Sequence, residues 1–139
     1  MIKNYEYIKN KVEEIYSLIP DFYCTHCNKC CLPIIWFEPE NILINKYLKK
    51  KYPNKKFNNL NDKCSFLKDN RCSIYPVRPI VCRLQGVISD LRCKNNNQNN
   101  YLSYKKIAII RKKFNILLEE TNSKNIFYSN RDFIKKSQI

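Results

Sequence analysis

Eight cysteines constrain this chain more than any other feature, and half of them are crowded together. In "YCTHCNKCCLPIIW", residues 23–36, Cys24, Cys27, Cys30 and Cys31 read C-x-x-C-x-x-C-C. Four sulfurs in eight consecutive positions have no ordinary packing rationale. A C-x-x-C pair lets a tight turn bring two thiolates to one ion, with bonds of about 2.3 Å for zinc. Cys24/Cys27 and Cys27/Cys30 are both such pairs. Cys31 differs, because adjacent side chains on a turn or helix point about 100° apart. The vicinal pair therefore suggests two metal sites sharing this segment, or one multi-iron cluster with a neighbouring ligand set. His26 lies inside the cluster, but enough thiolates are present without it.

Compartment decides how the sulfurs are read. "MIKNYEYIKNKVEE" has no apolar run of signal-peptide length, and nothing approaches a membrane span. The expected location is cytoplasmic, where eight cysteines are metal ligands, redox thiols or buried small hydrophobes rather than four disulfides. The chain has 139 residues, which suits a single domain, 1–139, with one modest core. Gly86 is the only glycine, which excludes glycine-rich phosphate loops and dinucleotide fingerprints. The formal charge of +14 comes with lysine and asparagine spread along the whole chain, so it reads first as composition bias and second as a nucleic-acid footprint.

Apolar spacing gives the elements. Tyr5, Ile8, Val12, Ile15 and Ile19 mark an amphipathic helix over 2–19, ended by Pro20. "PIIWF" (33–37) reads as a short strand. Glu38-Pro39-Glu40 opens a second helix, with its acids at the positive end of the dipole and Ile42, Leu43, Tyr47 and Leu48 on its apolar face. "CSFLKDNRCSIY" (64–75) reads as a hairpin turning at 68–70. With a three-residue loop Cys64 and Cys72 share a face of the ribbon; with a two-residue loop, 69–70, they face opposite sides. Pro79 opens a short helix. The asparagine run at 93–101 is a loop, and residues 101–120 form the clearest helix, with Ile107, Ile110, Phe114, Leu117 and Leu118 on one side. The tail from 123 is a short docked helix or frayed. The expected fold is α+β and mostly helical. A small irregular cysteine-rich metal-binding subdomain with one β-hairpin (core 20–94) packs on two or three helices, flanked by 2–19 and 101–120.

The distal half supplies Cys64, Cys72, Cys82 and Cys93. Beside the asparagine run, Cys93 is also compatible with a buried small hydrophobe. The combined pattern resembles the CxxCxxCC family, also called YkgJ-type, small proteins described as zinc- or iron-chelating. Cys64, Cys72, Ile74, Tyr75, Arg78, Pro79, Cys82 and Arg83 match its second motif, Cys93 matches an extra downstream cysteine, and the likeness covers about half of the chain, 24–93. The resemblance implies metal binding and no assigned reaction. A related motif in flagellin lysine N-methylases implies an iron–sulfur centre there. This chain is much shorter than those enzymes, and the methylase activity is not carried over.

The ligand set read from the sequence is Cys24, Cys27, Cys30, Cys31, Cys64, Cys72, Cys82 and Cys93, holding zinc or iron, with an iron–sulfur cluster as one form of the iron. Arg78 and Arg83 are placed to steady thiolate charge with their rigid donor forks; the alternative is that they are solvated or pair with carboxylates. Tyr75 and Trp36 read as core. The basic run Lys49–Lys51 with Lys55 and Lys56, interleaved with Tyr52 and Phe57, reads as a solvated helix end before a phosphate contact. Glu13/Glu14 and Glu119/Glu120 have no partner that would make a catalytic set. No catalytic residue is assigned, and whether the chain is an enzyme stays open. The competing functions are a zinc-holding module, an iron–sulfur protein in electron transfer or as partner of a redox or methyl-transfer enzyme, and a basic zinc-ribbon-like nucleic-acid binder. A peroxide-sensing thiol switch is a fourth. The expected partner is the metal ion, with no membrane and no identified protein.

Overall fold

The computed structural model describes residues 4–22, 32–54, 63–93 and 100–129. Three helices carry most of it. Helix α1 (Tyr5–Tyr16) begins where the Asn4 side chain accepts the Tyr7 N–H at 2.8 Å. It stops three residues short of the expected end. Leu18 and Ile19 bond back to the carbonyls of Ile15 and Tyr16, a tightening of the last turn that Pro20 makes final, and Ile19 is still buried. Strand β1 (Ile35–Phe37) runs directly into helix α2 (Glu38–Lys51). Helix α4 (Tyr104–Glu120) is capped by Ser103, whose hydroxyl accepts the Lys106 N–H at 3.2 Å. Between them lie the hairpin strands β2 (Leu67–Lys68) and β3 (Arg71–Cys72), a 3-10 turn at Tyr75–Val77, and the short helix α3 (Ile80–Arg83) that Pro79 caps.

Helix α2 divides two apolar clusters. On one side Leu43 joins Ile8, Val12, Ile15 and Tyr16 of α1 and Ile110, Phe114 and Leu117 of α4. On the other side Ile44 and Leu48 join Trp36, Cys64, Phe66 and Ile74. The expected face of α2 is therefore rotated: Ile44 is fully buried, while Ile42 and Tyr47 are half-buried. A helix flanked by apolar groups on two sides buries a wider stripe than its own periodicity shows. Trp36 anchors the second cluster, with its ring 5.5 Å from Phe66 and stacked 5.9 Å from Phe127.

The tail corrects one expectation. Residues Ile126–Tyr128 form strand β4, antiparallel to β1, with Trp36 opposite Phe127. Three consecutive β-branched and aromatic residues suit a pleated surface, and β1 offered an open edge to them. The hairpin corrects another. Leu67 pairs with Cys72 and Lys68 with Arg71, so the loop is the two residues Asp69 and Asn70, not three. Their φ values of 51° and 63° make a type I′ turn, whose twist matches the strands. Tyr75, expected in the core, is 38% exposed, with the Arg78 guanidinium 3.8 Å over its ring. The 3-10 turn leaves the ring outside the cluster that its neighbour Ile74 enters. Among the described residues no helix is long and apolar enough to cross a membrane.

Candidate metal centre

Of the four cysteines among the described residues, Cys64 and Cys72 lie at one apolar cluster, and Cys82 is near enough for their charge to act on it. Cys64 sits in the turn before β2, Cys72 ends β3, and Cys82 lies on α3. The two-residue loop would send Cys64 and Cys72 to opposite faces of a long ribbon. The ribbon is only two pairs long, and the turn closed by the Leu67 N–H on the Cys64 carbonyl, 3.0 Å, redirects the chain between Cys64 and β2. The Cys82 thiol is pushed well above its ordinary pKa. Burial is the first cause, followed by repulsion from Cys64 and Cys72; Arg78 opposes the rise and Glu40 adds to it. Among the described residues no group of three or more cysteine, histidine or carboxylate side chains is placed to hold a metal ion.

Burial pushes the Cys64 thiol above its ordinary pKa. The backbone N–H groups of Phe66 and Leu67 and the Ser129 side chain oppose that rise without reversing it. Cys72 and Cys93 are half-buried. Cys24, Cys27, Cys30, Cys31 and His26 lie outside the described residues, as do Lys55, Lys56 and Phe57.

The flanks of the 23–31 segment both lead to these thiols. On the entry side Phe22 lies against Gly86: a Cβ there would meet its ring at 2.7 Å, and Gly86 has φ +80°. Only glycine allows that approach and that backbone together. Phe22 packs on the same apolar cluster as Ile80 and Leu84, which bracket Cys82. On the exit side Ile34 packs on the cluster that holds Cys64, with Cys72 also against it.

Arg78 and Arg83 divide their tasks. Arg78 bonds the Tyr75 carbonyl at 2.9 Å and is the cation that acts on Cys82. Arg83 donates to the carbonyls of Arg78, 2.7 Å, and Pro76, 3.0 Å, and lies 3.9 Å over the Tyr16 ring. Burial lowers its pKa, and its attractive partners are Tyr16 and Glu40.

Sequence reasoning missed two residues around this centre. Glu40 is fully buried and accepts from the Tyr16 hydroxyl, the Ile80 N–H and the Phe37 N–H, the last at 3.2 Å. One carboxylate thus ties α1 and the start of α2 to the helix that bears Cys82. Ser129, 2% exposed, accepts the Ile34 N–H on its Oγ at 2.8 Å and the hydroxyl of Ser65, the neighbour of Cys64, on its carbonyl. The glutamate at the third helical position was a visible signal for the Phe37 contact. No local pattern points from Ser129 to Ser65, 64 positions earlier in the sequence.

A family model named CxxCxxCC, described as "putative zinc- or iron-chelating domain", matches residues 23–114. That span includes all eight cysteines. No curated protein and no solved structure matches the chain.

Proposed function

From the premise that the chain belongs to the CxxCxxCC family of zinc- or iron-chelating domains, we propose that it holds its metal through thiolates gathered from both halves of the sequence. Cys64, Cys72 and Cys82 form the distal set. Cys24, Cys27, Cys30 and Cys31 supply the proximal set, and Cys93 is the eighth ligand. The observation that carries this reading is the family match over all eight cysteines, and the neighbourhood of Cys64, Cys72 and Cys82 supports it. Chain connectivity supports it. Only Tyr23 separates Phe22 from Cys24, a reach of about 7 Å, and one peptide bond joins Cys31 to Leu32. Thiolates alone suit zinc or iron and leave calcium and magnesium aside, since those prefer oxygen ligands. Arg78 steadies the charge of the distal set, and Arg83 acts through Tyr16 and Glu40 on the helix that carries Cys82. Reduced thiols go with a reducing compartment.

Iron bound as an iron–sulfur cluster is the second reading, favoured by the vicinal Cys30-Cys31. Two adjacent thiolates serve neighbouring ligand sets better than one mononuclear ion.

Elemental analysis and an absorption spectrum of protein purified without oxygen decide between them. About two zinc per chain without colour gives paired four-thiolate sites. Iron with matching sulfide and a brown chromophore gives the cluster. In either case Cys64→Ser, Cys72→Ser and Cys82→Ser should each lose at least tenfold in metal affinity. Fully reduced wild-type protein that takes up neither metal would end the proposal.

A further inference from the structure

Helix α4 carries its charges against its own dipole. Lys105 and Lys106 stand in its first turn, where no acid is present, and Glu119 and Glu120 close it. The positive end of a helix dipole favours acids and the negative end favours cations, so each of these charges costs the helix a little stability. Lys105, Lys106, Arg111, Lys112 and Lys113 are all exposed, and among the described residues none of them forms an ion pair. Apolar side chains stand among these cations: Ile109 is 46% exposed and Ile116 44%. At about 100° per residue, Lys105, Ile109, Lys112 and Ile116 fall in one band roughly 60° wide. The band is turned away from the buried Ile110, Phe114 and Leu117.

The band ends in a groove. Ile116 and Leu117 of α4 and Ile15 of α1 line a cavity of about 130 Å³ between the two helices, together with Lys113, Glu14 and Glu120. Both acids are already engaged: Glu14 meets Lys11 at 3.7 Å, and Glu120 accepts the Tyr7 hydroxyl. The charge left for a partner is therefore predominantly positive. A cavity of about 150 Å³ takes a benzene-sized group, so this one suits a single aliphatic side chain.

We propose that the outer face of α4, with the groove it shares with α1, docks an acidic amphipathic helix of a partner protein. One apolar side chain of the partner enters the groove beside Ile116, another lies on Ile109, and carboxylates on its flanks meet Lys105, Lys106, Lys112 and Lys113. An amphipathic helix recognises a groove through such spaced apolar anchors. The phosphates of a nucleic acid would use the cations and leave both isoleucines idle. A bilayer surface would reach the isoleucines but not enter the groove. A helical partner uses cations, isoleucines and groove together. The groove belongs to the cluster of α1 and α4, apart from the one that holds Cys64 and Cys72, and the inference does not rest on the metal reading.

Fluorescence anisotropy with the full chain tests it. The probe is a labelled helical peptide of about 20 residues, with leucines along one face and glutamates on both flanks. It should bind with micromolar affinity, weakening as salt rises. Ile109→Ser with Ile116→Ser should weaken binding about tenfold, and Lys105→Glu with Lys112→Glu about as much. Lys105→Glu relieves the conflict with the dipole, so thermal stability should hold or rise while binding falls. Lys49→Glu with Lys50→Glu makes the same charge change on exposed positions of α2, and its affinity should stay within about twofold of wild type. Absence of peptide binding overturns the proposal. Equal losses from the α2 and α4 charge variants would reduce the effect to bulk charge and overturn it as well. If single-stranded RNA or phosphatidylserine vesicles bind this face and the peptide does not displace them, the occupant is a nucleic acid or a membrane and the proposal falls.

Discussion

A carboxylate with no exposed surface is either protonated or met by donors, and Glu40 is met by three. Burial still wins: it pushes the carboxyl up to about 7, against the pull of Tyr16, the Ile80 and Phe37 N–H groups and Arg83. The unfolded chain would titrate near the ordinary value of about 4.3. Between those two values the folded protein holds a proton that the unfolded chain has released. On this group's account stability is therefore greatest below about pH 4.3, falls as pH rises to about 7, and is level above. Protonation of metal-binding thiolates acts in the opposite direction, so the effect is read as a difference between variants. Glu40→Gln should cost about 1–3 kcal/mol near pH 5, where one amide hydrogen meets a buried donor, and less at pH 7.5. Urea unfolding of wild type and Glu40→Gln across that range measures it. A difference that does not shrink as pH rises would mean an ordinary carboxylate.

At the scale of elements, the hairpin shows what is legible in a sequence and what is not. Lys68-Asp69-Asn70 marked a turn between Cys64 and Cys72, and the turn is there. Its length was not fixed by residue type, since Asp and Asn serve both two- and three-residue loops; the register settled on two because both tolerate positive φ. Helices α1, α2 and α4 were legible because apolar spacing encodes them, to within a few residues at their ends. Strand β4 was not. Ile126, Phe127 and Tyr128 suit several structures, and only the open edge of β1, some ninety positions away, selects a strand. Glu40 and Ser129 owe their places to contacts across the fold that no local motif carries. A turn that sets the orientation of Cys72 should resist residues that avoid positive φ. Asp69→Val should lose about 1–2 kcal/mol and speed metal release, while Asp69→Asn should stay within about 0.5 kcal/mol. Thermal unfolding together with chelator-driven release tests this, and equal stability of the two variants would contradict the turn assignment.

On the scale of the whole molecule, α2 separates two clusters of different character. The cluster shared with α1 and α4 is built of aliphatic and aromatic side chains from three long helices. The cluster around Trp36 draws on two short sheets, one of them carrying Cys72, and on the turn that holds Cys64. Strands of two and three residues bring few ladder hydrogen bonds, and so small a sheet is marginal without something to pack on. On the proposed reading the thiolate-bound metal supplies what that side lacks, since binding energy at such a site is also folding energy. Metal removal should then act unevenly. Amides of β1, β2, β3 and β4 should lose their protection when a chelator is added to reduced protein, while those of α1 and α4 keep most of theirs. Hydrogen exchange with and without chelator reads both sides in one experiment. Retained protection in β1 and β2 after complete metal loss would show that Trp36, Ile44 and Phe66 hold that half unaided. Simultaneous loss in α4 would show that α2 transmits the metal's contribution across both clusters as one cooperative unit.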